Sequence, residues 1–346
     1  YQAGANGGTA ERNTMLGHRV GSNIKGSNNV ILGYDAALAL SGSSSTNIIL
    51  GGSTCGAAGE MDQGVIIGDN AGYQLAGTGT ENNGIVLIGY AAGRLFTSGS
   101  GNVVVGDSAF YSAGARIRNT VMGSGAMYDA TTASNNISIG WSNLANITTG
   151  NDNTALGFQV GHTLTTTGKT VLIGFQSGYA INATGADGTV AIGYQAGLAI
   201  TSGQESVLIG RQAGQTLTTG DASTAVGHYA LYHNVTGNRN TAIGRGAGAR
   251  FLNDDSTALG YYAGHYASGS DNTFLGSYAG QGGTTSAPYS SGTANTAVGH
   301  QALQTFTTGG GNTAIGEDAG YAITTAFNNV VVGTNAVNGQ PIGDYN

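Results

Sequence analysis

A short pattern of polar and apolar residues recurs along almost the whole chain. Each copy runs small polar, β-branched, apolar, aliphatic and then glycine, as in residues 153–157, 240–244 and 312–316. We number repeat positions from this reference glycine, which occurs 19 times between Gly17 and Gly333, and 11 of the 18 spacings are 17 residues. A unit that recurs at so short a period is typical of a solenoid, in which each repeat forms one coil.

The alternation within each copy predicts a short β-strand. Position −3 is Thr, Val or Ile, and position −1 is Ile, Leu, Val or Met, in all 19 copies. Because residues two apart lie on one face of a strand, we expect both positions to face the interior. Alanine at position +3 in 14 copies, and an apolar residue at position +7 in most, would complete a thin core. The prediction is an all-β fold, a parallel β-solenoid of about 19 coils of about 17 residues, forming a rod about 90 Å long.

Asparagine and glycine have separate roles in this repeat. Asparagine occupies position −4 in 12 copies, where stacked amides are expected to hydrogen-bond from coil to coil. The reference glycines mark sharp corners, where a positive φ angle carries no steric penalty for glycine. Both features predict a structural role for the repeat.

Position −2 adds a second expectation, because it would point outward between two inward-facing neighbours. It is apolar in 18 of the 19 copies, with Ser138 as the exception. A strand that is apolar on both faces is normally buried on both, and an exposed row of this length exceeds the patch that a monomer tolerates. We therefore expect a parallel homotrimer with the large residues of this position at its seam. They are Met15, Ile31, Ile49, Ile66, Leu87, Val104, Val121, Leu172, Leu208, Phe274 and Val331.

The repeats divide the chain into three parts. Residues 1–12 are predicted to be an N-terminal lead-in, residues 13–337 the solenoid, and residues 338–346 a C-terminal tail. Insertions lengthen the repeat at residues 78–84 and 277–294. Loops that project from a regular scaffold are favoured places for recognition, and they also tolerate sequence drift. Both interpretations stay open for Tyr289 in the longer loop.

Composition excludes several classes of protein. Charged residues make up 8% of the chain, 63 residues are glycine and 2 are proline, which excludes ordinary helical enzymes and collagen. The single Cys55 excludes a disulfide framework. The net charge of -7 and the lack of a basic cluster exclude a nucleic-acid partner, and no apolar run is long enough for membrane insertion. Because the chain begins at Tyr1 without Met, we expect a processed product or an excised fragment.

Aromatic and basic residues follow the reference glycine in adjacent coils. Flat rings stack on the apolar faces of sugars, and neighbouring Arg or His side chains could bind hydroxyls or acidic sugars. Such residues also pack against one another for structural reasons; we favour that interpretation and keep ligand binding as the alternative. The candidate ligand-binding residues are Trp141, Phe158, Phe175, Tyr194, Arg211, His228, Arg245 and Tyr261 at position +1, together with Tyr289 in the long loop.

No group of residues predicts catalysis, a cofactor or a metal site. His18, His228 and His300 share position +1 but lie several coils apart, which is too far to share a metal. Acidic neighbours such as Asp254 and Asp255 are typical of solvated turns. A polysaccharide-cleaving site would need two carboxylates about 5–10 Å apart in a groove. We therefore do not expect an enzyme.

The repeat resembles two known families. Residues 190–193, Val-Ala-Ile-Gly, and the small residues around them are similar to the head repeats of trimeric autotransporter adhesins. The fuller form, seen in residues 193–197 and 230–232, more strongly resembles repeats of bacteriophage tail fibres and tailspikes. The first resemblance implies a left-handed parallel β-roll in a homotrimer. The second implies a C-terminal intramolecular chaperone that is cleaved off near Asn346.

The repeat and these resemblances together predict a structural and adhesive fibre segment. We expect a phage tail fibre or tailspike shaft or head that attaches to the host surface, located on the virion tail fibre or at the cell surface. The expected partners are two further copies of the chain and a glycan or protein receptor on the host cell. The alternatives are the head of a bacterial trimeric surface adhesin and an ice-binding β-solenoid.

Overall fold

The structure, a computed structural model, describes residues 12–38, 40, 43–56, 60–76, 82–112, 114–182, 185–339 and 343–345. Short strands and turns make up this part of the chain, and it contains no helix. Two compact units can be distinguished, Tyr1–Thr170 and Val171–Asn346. The predicted all-β parallel β-solenoid is thereby confirmed. Most of the predicted lead-in, residues 78–81 of the first insertion, and Asn346 lie outside the described residues.

The first unit contains nine strands that pair in parallel and in register, one per coil, in the order β1-β2-β3-β4-β5-β7-β9-β10-β11. Strands β6 and β8 form a separate parallel pair on another side of the coil. The strands are β1 (Thr14–His18), β2 (Val30–Tyr34), β3 (Ile48–Leu50), β4 (Val65–Ile67), β5 (Val86–Ile88), β6 (Phe96–Ser98), β7 (Val103–Val105), β8 (Gly114–Ala115), β9 (Thr120–Met122), β10 (Ile137–Ile139) and β11 (Thr154–Leu156).

The second unit contains ten strands that pair in parallel in sequence order. Each strand is three residues long, because the reference glycine turns the chain directly after it. The strands are β12 (Val171–Ile173), β13 (Val190–Ile192), β14 (Val207–Ile209), β15 (Thr224–Val226), β16 (Thr241–Ile243), β17 (Thr257–Leu259), β18 (Thr273–Leu275), β19 (Thr296–Val298), β20 (Thr313–Ile315) and β21 (Val330–Val332).

The predicted orientation of these strands is wrong by one residue. Position −2 lies inside the coil, whereas positions −3 and −1 lie on the outer face. The residues assigned to a trimer seam are therefore core residues of their own chain, and Met15 in the first strand is half-buried. Those that are at most 5% exposed are Ile31, Ile49, Ile66, Leu87, Val104, Val121, Leu172, Leu208, Phe274 and Val331.

The physical reason for this correction is the asparagine at position −4. Residues two apart share a face of the strand, so positions −4 and −2 must face the same way. The asparagines need the interior, where each amide finds partners in both adjacent coils, and they bring position −2 inward with them. A shift of one residue moves every side chain of a strand to the opposite face. The outer face is consequently formed by position −1, which is Ile, Leu, Val or Met, and by the Thr, Val or Ile of position −3.

The asparagine ladder itself is confirmed. In the first unit, the backbone N–H and side-chain Nδ2 of Asn119 both donate to Oδ1 of Asn102 at 3.0 Å. Asn136 then donates to Asn119, and Asn153 to Asn136. Asn312 and Asn329 continue the same pattern in the second unit. Since these side chains are almost fully buried, each unmade bond would leave a costly unpaired group.

Positions +3 and +7 are confirmed as core positions. Ala36, Ala196 and Ala319 are completely buried at position +3, and Leu40 and Phe306 are completely buried at position +7. The remaining space is divided between positions −2 and +4. A Cβ atom on Gly214 would lie 2.8 Å from Cδ2 of Leu208, so glycine at +4 makes room for leucine at −2 in this coil.

Candidate functional site

The candidate aromatic residues of the first unit form a stacked pair at the corner that follows the strands. Trp141 and Phe158 come directly after the reference glycines of β10 and β11. Their ring centroids lie 4.9 Å apart with an interplanar angle of 15°. The side chains remain 48% and 40% exposed, so ring surface is still open to solvent beside the stack. The pair is therefore an apolar, flat surface feature.

The second unit places Phe175, Tyr194 and Arg211 in one stack. The rings of Phe175 and Tyr194 are 5.3 Å apart and nearly parallel, at 8°. The guanidinium carbon of Arg211 lies 5.8 Å from the centroid of Tyr194, which is within cation–π distance. The predicted order of aromatic rings followed by a basic group is thus present as a physical stack.

His228 lies between two arginines at the same repeat position. Burial, and to a smaller extent the charges of Arg211 and Arg245, lower the pKa of His228 below its ordinary value, so its imidazole is neutral near pH 7. Arg245 in turn lies 5.8 Å from the ring centroid of Tyr261. This stretch therefore presents two permanent positive charges on a chain whose net charge is -7.

A cleft that sequence reasoning missed opens beside this column. Its volume is about 270 Å³. Tyr229 and Tyr232 come from the coil of Gly227, and Tyr262 and His265 from the coil of Gly260, at the same repeat positions +2 and +5. The intervening coil has Gly246 and Ala249 at these positions. Two small residues between two aromatic pairs leave the gap; the cleft is lined by Tyr229, Tyr232, His233, Ala249, Arg250, Tyr262 and His265. We call it the tyrosine cleft.

Arg250 connects the tyrosine cleft to the long loop. Its guanidinium carbon lies 4.4 Å from the ring centroid of Tyr289, and Tyr289 also stacks on Tyr266 at 6.5 Å and 15°. The loop residue singled out from the sequence therefore packs beside the cleft. Nε of Arg250 is buried and has no hydrogen-bond partner within the described ranges, and no carboxylate there lies within ion-pair distance of Arg250.

The two histidines of the cleft are neutral near pH 7. Burial lowers the pKa of His233, and the charges of Arg250 and His265 lower it further. Burial also lowers the pKa of His265, although its hydrogen bond to the Gly246 carbonyl opposes this shift. Nδ1 of His265 donates that bond at 2.8 Å. Its other ring nitrogen, Nε2, is then an acceptor.

Groups suited to metal chemistry are not assembled in the described part of the chain. No three His, Cys, Asp or Glu side chains come together there in a way that could hold a metal ion. His300 lies 3.9 Å from Glu317, and His18 lies 3.4 Å from Asp35, so these histidines belong to separate surface pairs. Burial raises the pKa of the Cys55 thiol to about 12, which keeps this side chain an unreactive core residue.

Comparison with known proteins gives no identification. No family model matches the chain, and no curated protein and no solved structure shows significant similarity to it. A search of the described residues for an apolar helix long enough to cross a bilayer finds none. The parallel β-solenoid fold is therefore shown by the structure of this chain alone.

Proposed function

We propose that this chain is a structural and adhesive segment of a fibre, which assembles as a parallel homotrimer and attaches to a host surface, as in a phage tail fibre or tailspike. One observation carries the proposal: the outer face of the strands is apolar at position −1 in every coil. Leu156, Leu259 and Ile315 are each 42–44% exposed on it. Such a row exceeds the apolar patch that a soluble monomer tolerates.

Further copies of the same chain are the partner that fits this face. The face carries two columns, positions −3 and −1, and neither contains a charged residue. Matching copies would present the same spacing of one strand per coil, which a globular partner would not. With three copies around an axis, each column meets one neighbour. The seam first assigned to position −2 is thus replaced by positions −3 and −1.

Assembly is tested by the mass of the protein in solution. We expect wild-type protein to sediment at three times its chain mass of 34.4 kDa. Ile209→Glu combined with Ile243→Glu places carboxylates on the outer face, where both side chains are 36–38% exposed, and should give single chains because buried unpaired charges are strongly unfavourable. Thr236→Glu, at an exposed turn residue, should leave the trimer intact.

A monomeric wild type at micromolar concentration would overturn the proposed assembly.

The outer face of the second unit also carries threonines in register in consecutive strands, among them Thr224, Thr241 and Thr257. If the monomer showed thermal hysteresis, the regular Thr row would instead support the ice-binding alternative. A monomer without thermal hysteresis would contradict both interpretations of this face.

Attachment is assigned to the exposed rings at position +1. We expect Trp141→Ala and Tyr194→Ala each to weaken binding to a panel of bacterial surface polysaccharides about 3- to 10-fold, since one aromatic stacking contact contributes on the order of 1 kcal/mol. Tyr90→Ala is the matched control, because Tyr90 occupies the same repeat position and is 60% exposed but has no aromatic neighbour at position +1 in the adjacent coils. Equal binding by all variants would exclude the column from attachment.

A further inference from the structure

We propose that the tyrosine cleft binds one pyranose ring that carries a carboxylate, such as a hexuronate residue of an acidic polysaccharide. This inference rests on the proposed attachment function, because it names the chemistry that the surface recognises. It is carried by the shape of the cleft, by a lining cation, Arg250, that has no acidic partner among the described residues, and by the neutral hydrogen-bonding groups of the cleft.

The shape of the cleft fits a single ring. Tyr232 and His265 occupy position +5 two coils apart, so their backbones are separated by about 9.5 Å. Ala249, which is 2% exposed, lies between them at the same position. The volume of about 270 Å³ is slightly below the roughly 300 Å³ at which sites for drug-sized ligands begin. One sugar residue of a polymer, entering from the open side, suits these dimensions.

The positive charge of the cleft favours a ligand that carries a carboxylate. Arg250 is the permanent cation among its lining residues, because the lowered pKa values of His233 and His265 keep both imidazoles neutral near pH 7. Its Nε is buried and lacks a partner within the described ranges. Packing against Tyr289 at 4.4 Å fixes the guanidinium plane. A guanidinium that is held in this way and has no acidic partner among the described residues is suited to bidentate binding of a carboxylate.

The remaining lining groups suit a ring that bears hydroxyls. Tyr229 and Tyr232 line the cleft and contact each other edge to face at 4.7 Å; each carries both an aromatic ring and a phenolic hydroxyl. Nε2 of neutral His265 accepts a hydrogen bond while its Nδ1 donates to the Gly246 carbonyl. Aromatic faces cover the apolar C–H surface of a pyranose, and the polar groups fix its orientation. A flat apolar anion would leave these groups unpaired, which carries a penalty.

The test compares methyl β-D-glucuronide with methyl β-D-glucoside by NMR titration of the full chain. These probes differ only in the carboxylate. We expect the glucuronide to bind at least about tenfold more tightly, because a charge-assisted hydrogen bond contributes that much or more. Arg250→Gln should remove this difference. Arg94→Gln should retain this difference. Like Arg250, Arg94 packs on tyrosine rings, 5.7 Å from those of Tyr73 and Tyr111, but it lies in the other unit.

A second variant separates loss of binding from loss of fold. Ala249→Leu fills the floor of the cleft, and we expect it to abolish glucuronide binding while the thermal unfolding curve stays close to that of wild type. The fold accepts leucine at this position, since Leu198 occupies position +5 in another coil. Equal binding of the two sugars, binding that survives in Ala249→Leu, or no binding at millimolar glucuronide would each overturn the proposal.

The same variant distinguishes this inference from the proposed function. If wild type and Ala249→Leu bind the polysaccharide panel equally while Trp141→Ala does not, attachment stands and the cleft is not its site. If the glucuronide binds in the cleft but no polysaccharide of the panel is bound, the ligand class stands and the attachment function fails.

Discussion

Gly227→Ala is expected to destabilise the second unit by about 4 kcal/mol or more, which places it among the most damaging single substitutions. Gly227 has a φ angle of +135°, and a Cβ atom there would lie 2.6 Å from the carbonyl oxygen of Gly244 and 2.7 Å from its carbonyl carbon. Backbone strain alone costs about 1–3 kcal/mol. The overlap then forces the two coils apart. This separation conflicts with the hydrogen bond that the Gly244 N–H donates to the Val226 carbonyl oxygen at 2.8 Å.

Gly333→Ala is the matched control for this prediction. Gly333 has the same kind of φ angle, +128°, but the nearest atom to its added Cβ would be Cβ of Ala336 at 3.9 Å. This variant should therefore be destabilised by the backbone strain alone, which costs about 1–3 kcal/mol. Chemical denaturation followed by circular dichroism measures the free energy of unfolding of both variants. Equal losses for the two variants would show that the close approach of successive corners is not what makes the reference glycine necessary.

The spacing of these glycines explains why the coil architecture could be predicted from the sequence. Each copy places the chain at the same point of the coil, so counting between glycines fixes the period without knowledge of any contact. The core positions +3 and +7 follow from size alone, as Ala196 and Phe306 show. Orientation could not be fixed in this way, because positions −2 and −1 are both apolar and position −3 carries Thr, Val or Ile, which suit either face of a strand. The buried amide at −4 was the available signal, since its face must also be that of −2.

One part of the candidate site could be predicted from the sequence, and another part could not. The column at position +1 was predictable because its members share one repeat position, and Phe175 and Tyr194 do stack. The tyrosine cleft was not predicted, because it forms where one coil lacks a large side chain. Ala249 occupies the repeat position at which the coils on either side have Tyr232 and His265. Comparing each repeat position across three consecutive coils would have found it. The buried Arg116, whose pKa burial lowers to about 9, had no counterpart in the repeat and no sequence signal.

Asn136→Ala is expected to cost the first unit about 3 kcal/mol or more. Oδ1 of Asn136 accepts from both the backbone N–H and Nδ2 of Asn153 at 3.0 Å, and its Nδ2 donates to the Gly150 carbonyl at 3.0 Å. Alanine leaves these donors and the acceptor unpaired in the core, at about 1–3 kcal/mol for each fully unsatisfied group. Asn136→Ser is the milder comparison. Serine occupies this position in other coils, where the amide N–H of Ser223 donates to Oγ of Ser206 at 3.2 Å.

Asn136→Asp separates the hydrogen-bonding pattern of the ladder from the volume of its side chain. One carboxylate oxygen can still accept from Asn153, but the other replaces Nδ2 and faces the Gly150 carbonyl oxygen and Oδ1 of Asn119. Burial and these acceptors raise the pKa of the introduced carboxyl in the folded state above the unfolded value of about 3.9. The variant therefore retains most stability below about pH 4, where the protonated acid can donate as the amide did, and loses it as pH rises through the folded-state pKa. Urea unfolding at pH 4 and pH 7 measures the stability deficit of the variant relative to wild type at each pH. A deficit that did not grow with pH would mean that the ladder acts by filling space rather than by matching donors to acceptors from coil to coil.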